Sequence, residues 1–294
     1  MKIGLLGAGA WGGAIGEKIR GQGHSVVVHH HGESNWKESF EALILGLPVQ
    51  HVRSTLSRFS DPAVPILSLS KGMEIGTHQR VSQMILDTYP KSKCGVLSGP
   101  TFAEEVVQGL PAVAVIASDC SETRVFFHDL LHDSRLRLYS SSDVVGVELG
   151  GALKNVYAIA AGVCRELKLG ENAWAGLLTR CLAEMTRIGM SLGGRPETFA
   201  GLSGVGDLML TASSDKSRNF RVGQQIVRGE ILEDLLGKIG GVAEGVSTAK
   251  AIYSDDRIPA ESKPIAIEVY RILYEGKSPA SAVKSLMERA KTSE

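Results

Sequence analysis

The sequence predicts an α/β domain with a parallel sheet, followed by an all-α domain. Up to about residue 142, short continuous apolar runs alternate with segments of helical spacing. This alternation is typical of a parallel sheet that is covered by helices on both faces. A glycine-rich turn follows the first apolar run, as is common where such a sheet binds a ligand. Beyond residue 142 the strand-like runs stop, and helical spacing continues towards the C-terminus.

Six apolar runs are predicted to be strands, and three segments between them are predicted to be helices. The strands are expected at residues 2–6, 25–30, 42–47, 64–69, 93–97 and 112–117, and the helices at 10–20, 78–89 and 121–132. The second and third strands are separated by residues 31–41. This connection has barely enough residues for the helix of a parallel crossover.

The second half of the chain predicts helices at residues 147–167, 173–192, 220–228 and 264–274. A last helix is expected to begin at Ser278-Pro279, because Ser is a good N-cap residue and Pro is favoured at the first helical position. That helix would run to about Ala290. We therefore place the domain boundary near residue 143, with an α/β domain over 1–142 and a helical domain over 143–294.

Composition and charge exclude several classes of function. The 294 residues include 32 Lys and Arg and 32 Asp and Glu, so the formal net charge is zero. A balanced chain gives no electrostatic sign of nucleic-acid binding or of an anionic membrane surface. We also expect no membrane span, because no apolar stretch is predicted to approach the ~20 residues that a span needs. The four cysteines have no paired Cys or His spacing, which argues against disulfides and fits a reduced, cytoplasmic compartment.

A glycine fingerprint follows the first predicted strand. Gly7, Gly9 and Gly12 match GxGxxG and open the first predicted helix. In this context the first glycine permits a tight turn, the second lets a pyrophosphate approach the backbone, and the third allows the helix to pack closely on the strand. The free N–H groups of the helix then point at the phosphates. The first domain is therefore predicted to be Rossmann-like and to bind a dinucleotide.

The end of the second predicted strand bears on the choice of cofactor. An acidic residue at this position would favour NAD, because it accepts a hydrogen bond from the ribose 2′-hydroxyl. Here the strand ends in His29-His30-His31, and Glu33 follows only after Gly32. A 2′-phosphate is therefore tolerated or preferred, which slightly favours NADP over NAD. Adjacent strand residues point to opposite faces, so the three histidines do not predict a metal site.

Lys154 lies in an otherwise apolar segment of small residues, LGGALKNVYAIAAG. A lysine on such a surface is costly unless it is paired or has a function. Desolvation would lower its pKa and prepare the amine for proton transfer. The alternative is a lysine whose stem lies on the apolar surface while its amine reaches solvent. The local pattern leaves both interpretations open.

Other polar segments lie at positions where the packing of the fold alone would not require polar residues. Lys71 follows a predicted strand in the segment Ser-Lys-Gly. Asp207 and Thr211 are four residues apart, so they share one face of a helix. Ser217-Arg218-Asn219 places a guanidinium fork between two hydrogen-bonding side chains, which suits a phosphate. A solvated surface segment is the alternative for these three residues.

Together these segments resemble the NAD(P)-dependent glycerol-3-phosphate dehydrogenase family of the bacterial type. The resemblance covers nearly the whole chain, in order, through GAGAWG (7–12), LSKG (69–72), LSGPTFAEEV (97–106), GVELGGALKNVYAIAAG (146–162), GLSGVGDLMLT (201–211), SRNFRVG (217–223) and VAEGVSTAK (242–250). It implies the reversible reduction of dihydroxyacetone phosphate, a small phosphorylated substrate, to sn-glycerol 3-phosphate, which supplies glycerophospholipid synthesis.

The resemblance also implies a role for individual residues. Lys154 would be the catalytic acid/base, Asp207 its charge partner, and Lys71 would face the substrate carbonyl or hydroxyl. The implied substrate-binding residues are Lys71, Gly99, Thr101, Lys154, Asn155, Asp207, Thr211, Ser217, Arg218 and Asn219. The implied cofactor-binding residues are Gly7, Gly9, Ala10, Trp11, Gly12, His31, Lys71, Ala103, Arg218, Val242 and Glu244.

The chain departs from the family pattern at two places. The segment after the second strand is shortened to about HGESNWKESFE, so a helix and part of the adenosine-side sheet are expected to be missing, and Ala10 stands where Ser is common. Two other functions are weighed against the dehydrogenase: a related β-hydroxyacid dehydrogenase with another substrate, and a non-catalytic dinucleotide-binding regulatory protein. The sequence leaves a homodimer open.

Overall fold

The first part of the chain forms one seven-stranded sheet. The structure, a computed structural model, describes residues 1–30 and 32–289. The strands are β1 (Lys2–Leu6), β2 (Ser25–His29), β3 (Ala42–Leu45), β4 (Pro65–Ser68), β5 (Lys93–Ser98), β6 (Ala112–Ala117) and β7 (Leu136–Ser141). Their order across the sheet is β2-β1-β3-β4-β5-β6-β7. The six predicted strands are confirmed, and β7 is an additional one.

Helices cover both faces of this sheet, as the continuous apolar strands predict. They are α1 (Ala10–Gly21), α2 (Val52–Leu56), α3 (Val81–Thr88), α4 (Ala103–Val107) and α5 (Ser121–Leu131). Ile15 of α1 and Phe127 of α5 are fully buried in the core on one face. Val52 of α2 and Ile85 of α3 are fully buried in the core on the other. The fold is therefore Rossmann-like in its layers.

One strand pair corrects the expectation of an all-parallel sheet. β5 and β6 are antiparallel, whereas the other pairs in the described part of the chain are parallel. The reason lies in residues 99–111, which contain only the short helix α4. Such a short connection does not return the chain to the opposite end of the sheet. β6 therefore begins at the end of the sheet where β5 ends, and it runs antiparallel to β5.

The connection between β2 and β3 is as short as the sequence predicts. In its described residues, 32–41, there is no helix. Instead Trp36 stacks on Phe59 with ring centroids 4.2 Å apart, and Phe40 meets Trp36 edge-on at 5.1 Å. The imidazole of His29, the last residue of β2, lies within this aromatic cluster, 5.0 Å from the ring of Trp36. Because residues 32–41 form no strand either, no further strand pairs with β2, which lies at the edge of the sheet.

The second part of the chain is helical, as predicted. Its helices are α6 (Val144–Glu166), α7 (Glu171–Ser191), α8 (Pro196–Phe199), α9 (Asp207–Ala212), α10 (Arg218–Val227), α11 (Leu232–Lys238), α12 (Glu244–Tyr253), α13 (Pro264–Tyr274) and α14 (Pro279–Met287). The hydroxyl of Ser278 accepts a hydrogen bond from the Ser281 N–H at 3.2 Å, which confirms the predicted N-cap of the last helix. That helix ends at Met287, and the predicted end at Ala290 lies outside the described residues.

Helix α6 is the central element of the fold. It packs against α7, α9, α10, α12 and α13 and also against strand β5. Its Glu148 accepts hydrogen bonds from the backbone N–H of Ser82 at 2.8 Å and from the Ser82 hydroxyl at 2.6 Å, at the start of α3. The side chain of Arg80 pairs with the same carboxylate. These contacts fasten α6 to the first domain.

The length of α6 corrects one expectation. Its 23 residues are long and apolar enough to cross a membrane by length and composition, although the sequence was expected to contain no such stretch. In its most apolar 18-residue window, however, 89% of the residues are buried inside the protein. A core helix passes the same test of length and composition, and we assign α6 to the core.

Candidate active site

A cavity of about 520 Å³ lies where the carboxyl ends of β1, β3 and β4 face the helical domain. In open α/β sheets this end of the strands is where ligands bind. One wall consists of the glycine turn after β1 and the residues that follow β3 and β4. The opposite wall comes from α6 and from the N-termini of α10 and α12.

The glycine turn has the geometry that its sequence predicts. Gly7 has a φ of +95°, a conformation that side-chain-bearing residues rarely adopt. A Cβ on Gly12 would lie only 2.1 Å from the carbonyl oxygen of Gly7, so the start of α1 packs against the turn without room for a side chain. Gly9 is the N-cap of α1 and has no atom within 4 Å of its Cβ position. The turn therefore fits a pyrophosphate that approaches the free N–H groups of α1.

Across the cavity, one carboxylate holds two lysines. Asp207 is 1% exposed. Its Oδ1 accepts a hydrogen bond from Lys154 Nζ at 2.9 Å, and its Oδ2 accepts one from Lys71 Nζ at 2.6 Å. The hydroxyl of Thr211, one turn further along α9, lies 2.7 Å from Lys154 Nζ. The Lys154 amine thus does not reach solvent as a surface lysine would, and the paired interpretation is correct.

Burial and charge shift the pKa values in this cluster. Burial lowers the pKa of Lys154 to about 8, and the positive charge of Lys71 adds to this effect, while Asp207 opposes it. Burial alone would raise the pKa of Asp207, but the charges of the two lysines and their hydrogen bonds hold it below its usual value. Asp207 is therefore ionised at neutral pH. The Lys154 amine can exchange a proton near physiological pH.

Ser217, Arg218 and Asn219 at the start of α10 all border the cavity, and Ser217 and Asn219 also make structural hydrogen bonds. The Ser217 hydroxyl accepts a hydrogen bond from the Phe220 N–H at 3.2 Å and so caps the helix. Asn219 donates from Nδ2 to Asn155 Oδ1 at 2.9 Å, which fixes the orientation of the Asn155 amide. Among the described residues, no carboxylate lies within 4.0 Å of the Arg218 guanidinium. Arg218 is therefore available for an anionic ligand.

Two buried polar atoms beside the glycine turn lack partners. Glu244 accepts a hydrogen bond on Oε1 from the Val49 N–H at 3.0 Å, but its Oε2 has no partner among the described residues. Burial raises the pKa of Glu244 to about 7. The indole Nε1 of Trp11 is also buried without a partner in the described part of the chain. Such orphaned groups fit a ligand with hydrogen-bonding atoms, as a dinucleotide has.

Most of the predicted site residues border this one cavity. They are Gly7, Gly9, Ala10, Trp11, Gly12, Lys71, Thr101, Ala103, Lys154, Asn155, Thr211, Ser217, Arg218, Asn219, Val242 and Glu244. Asp207 lies behind the two lysines rather than on the surface of the cavity. Gly99 contributes its carbonyl oxygen, which accepts a hydrogen bond from Lys71 Nζ at 3.0 Å. His31 lies outside the described residues.

Several lining residues were not predicted. They are Gly46, Leu47, Pro48, Leu69, Ser70, Phe102, Lys216, Gly240 and Gly241. The first three follow the carboxyl end of β3, and that position could have identified them. Lys216 carries no such signal; it forms ion pairs with Glu104 and Glu105 of α4. Within residues 1–30 and 32–289, no group of three or more His, Cys, Asp or Glu side chains could hold a metal ion.

A sheet with a dinucleotide cradle, facing a buried lysine on a helical domain, is the arrangement of an NAD(P)-dependent dehydrogenase. The comparisons with known proteins narrow this class. The family profile for the NAD-dependent glycerol-3-phosphate dehydrogenase C-terminus matches residues 143–284, and the N-terminus profile matches residues 34–124. The chain belongs to the glycerol-3-phosphate dehydrogenase family.

Individual relatives agree with the family profiles. Glycerol-3-phosphate dehydrogenase [NAD(P)+] of Thiobacillus denitrificans is 40% identical over 328 aligned positions, which cover 100% of both chains. The protein of the same name from Desulfitobacterium hafniense is 37% identical, with 100% of this chain and 93% of the relative covered. A crystal structure of glycerol-3-phosphate dehydrogenase from Coxiella burnetii is 29% identical and superposes with a TM-score of 0.88 over 98% of this chain and 99% of that one.

The same alignments show that this chain is shorter than its relatives. The 328 positions aligned with the Thiobacillus protein are 34 more than the chain has residues, so that relative has a similar number of residues without a counterpart here. The N-terminus profile begins to match only at residue 34, beyond β2. Both findings agree with the short connection between β2 and β3.

Proposed function

We propose that this chain catalyses the NAD(P)H-dependent reduction of dihydroxyacetone phosphate to sn-glycerol 3-phosphate, reversibly, and so supplies glycerophospholipid synthesis. Membership of the family gives the reaction. The observation that carries the proposal for this chain is the pair Lys154 and Lys71 on the one carboxylate of Asp207, across a single cavity from the glycine turn.

The residues around the glycine turn would hold the cofactor. Gly7, Gly9 and Gly12 leave room for the pyrophosphate, and Trp11 and Glu244 offer polar atoms that have no other partner in the described chain. When bound, the nicotinamide supplies the hydride that reduces the substrate carbonyl carbon.

The lysines provide the acid/base chemistry. As the carbonyl is reduced, negative charge develops on its oxygen, and the two ammonium groups stabilise that charge. Lys154 is the better proton donor, because burial brings its pKa to about 8, near the working pH. In the reverse direction the neutral amine of Lys154 accepts the proton of the glycerol hydroxyl. Asp207 keeps both amines in place and favours the protonated form of Lys154.

Arg218 would bind the substrate phosphate, since its guanidinium borders the cavity and pairs with no carboxylate in the described chain. The binding energy of this remote group can align the reacting carbon. Asn155, oriented by Asn219, would bind the substrate between the phosphate and the lysines. Thr101 and Thr211 offer hydroxyl groups on the same cavity.

We infer that NADP is slightly favoured over NAD. The acid nearest to the end of β2 is Glu33, and it is already paired with Lys37 at 2.8 Å. A carboxylate engaged in this way is a poor partner for a ribose 2′-hydroxyl, and it repels a 2′-phosphate less than a free one. Comparing kcat/KM for NADPH and NADH tests this inference. A cytoplasmic location is proposed with it, since all four cysteines are free.

The activity is tested by following NADPH oxidation with dihydroxyacetone phosphate and, in parallel, with unphosphorylated dihydroxyacetone and with β-keto acids. We expect turnover of the phosphorylated substrate only. Lys154→Ala should abolish turnover while NADPH still binds, measured by quenching of protein fluorescence, and Lys91→Ala, at an exposed position, is the matched control.

Three outcomes would contradict this proposal. Near-normal turnover by Lys154→Ala would refute the role of that lysine. Preference for an unphosphorylated acid would indicate a related β-hydroxyacid dehydrogenase. No turnover by folded protein that binds NADPH would indicate a non-catalytic dinucleotide-binding protein.

A further inference from the structure

A second cavity lies within the helical domain and shares no residue with the candidate active site. It is enclosed by α6, α7, α13 and α14, and its volume of about 770 Å³ is in the range of small-molecule sites. Aliphatic side chains form its walls, among them Val163, Leu177, Ile265, Val269, Ala282 and Leu286. The proposed reaction uses none of these residues.

The polar groups of this cavity lie mainly along α7. Arg180 and Arg187 are seven residues apart on that helix, so both lie on one side of it, and both are exposed. In the described part of the chain, neither guanidinium has a carboxylate within 4.0 Å. The mouth of the cavity therefore carries two cations that form no ion pair with any of the described residues.

The two buried acids that line the cavity are already satisfied. Glu184 accepts hydrogen bonds from the backbone N–H groups of Ile265 at 2.8 Å and Ala266 at 2.9 Å. Burial also raises its pKa to about 7, so at neutral pH it carries only part of a charge. Glu268 is paired with Lys277 at 2.6 Å. Neither acid lies within 4.0 Å of the guanidinium of Arg180 or Arg187, so both arginines can pair with an anion.

We propose that this cavity binds a single-chain amphiphile with a carboxylate head group, such as a long-chain fatty acid. The acyl chain would lie between the four helices, and the carboxylate would pair with Arg180 and Arg187. A guanidinium fork suits a carboxylate, and burial of the methylene groups of the acyl chain away from water favours binding. The apolar surface is recessed between four helices rather than laid out on one flat face, and this shape suits a flexible chain better than a second protein.

Isothermal titration of the full-length protein with laurate, kept below its critical micelle concentration, tests the proposal. We expect saturable binding of one laurate per chain, and no comparable binding of dodecyltrimethylammonium, whose head group has the opposite charge. Ala173→Trp should weaken laurate binding at least about tenfold, because Ala173 lines the cavity from an exposed position on α7. Ala175→Trp, exposed on the same helix but not part of the lining, is the matched control.

A second set of variants tests the head-group contact without filling the cavity. Arg180→Ala combined with Arg187→Ala should also weaken laurate binding at least about tenfold and remove the preference over the cationic amphiphile. Arg58→Ala, at an exposed position in the first domain, is the control. Thermal unfolding and NADPH binding of each variant establish that it is folded.

Several outcomes would overturn the proposal. One is the absence of saturable laurate binding by the folded wild-type protein, and another is laurate binding that neither set of variants weakens. Equal binding of the cationic amphiphile would refute the role of the arginines. If light scattering shows that the wild type is a dimer and Ala173→Trp a monomer, the occupant is a second copy of the chain.

Discussion

Replacing Asp207 by Asn removes the one negative charge between the buried amine of Lys154 and the half-buried amine of Lys71, and it keeps the shape of the side chain. In the wild type that carboxylate lies 2.9 Å from Lys154 Nζ and 2.6 Å from Lys71 Nζ. Removing one partner of a buried ion pair costs about 3–5 kcal/mol, and we expect the free energy of unfolding at neutral pH to fall by that amount. The remaining amines repel each other, so the pKa of Lys154 should fall below its wild-type value of about 8.

The kinetic consequence has a definite sign. Reduction requires protonated Lys154, so the wild-type rate of reduction should fall as the pH rises through about 8. In Asp207→Asn this decline should occur at lower pH. The oxidation of glycerol 3-phosphate requires the neutral amine, and its rate should show the opposite dependence, with its rise shifted in the same direction.

Two measurements suffice. Urea unfolding followed by circular dichroism gives the stability, and initial rates in both directions across the neutral and mildly alkaline range give the pH profiles. Asp215→Asn, the same substitution at an exposed position near the cavity, is the control. An Asp207→Asn protein with wild-type stability and unshifted profiles would refute the claim that this carboxylate sets the protonation of Lys154.

Three further predictions concern stability. Gly12→Ala places a methyl group 2.1 Å from the Gly7 carbonyl oxygen, so we expect a lower thermal midpoint and weaker NADPH binding, whereas Gly21→Ala, with no atom within 4 Å, should lower neither. Burial raises the pKa of Glu184 from 4.5 to about 7, so the free energy of unfolding should decline as the pH rises across that interval. Urea titrations of Glu184→Gln should show a weaker decline, and a decline equal to that of the wild type would contradict this explanation. Burial lowers the pKa of His29 below 6.5, so stability should decline as the pH falls below that value, and His29→Phe should lessen the loss. An unchanged acid limb in that variant would show that another group is responsible.

The fold could be predicted where buried strands give continuous apolar runs in the sequence. β3 and β4 are almost entirely buried, and their apolar runs are visible in the sequence. β7 was missed because it is an edge strand in which only Leu136 and Leu138 are buried and polar residues alternate with them. The direction of β6 could not be predicted, because it depends on where residues 99–111 return to the sheet, and no local pattern encodes that.

The candidate site was predictable in its parts but not in its assembly. The four-residue spacing of Asp207 and Thr211 predicts that they share a helix face, and their side chains lie 3.2 Å apart. The contact between Lys71 and Asp207 joins residues 136 positions apart in the chain. Only the tertiary structure shows it, and the same structure shows that Lys154, which also pairs with Asp207, is buried rather than a surface lysine. In the sequence, only the resemblance to the family indicates that these residues belong to one site.

The position of α6 determines how the chain unfolds. The helix that carries Lys154 is at once the centre of the helical domain and a partner of the sheet, to which Glu148 ties it through Ser82. Removing the second domain would strip the sheet of that partner, and melting the sheet would release the helix on which the second domain is built. The change of architecture near residue 143 is therefore not a boundary between parts of the chain that fold independently. The chain should unfold in one cooperative transition, and two fragments divided at that point should be stable only when they associate.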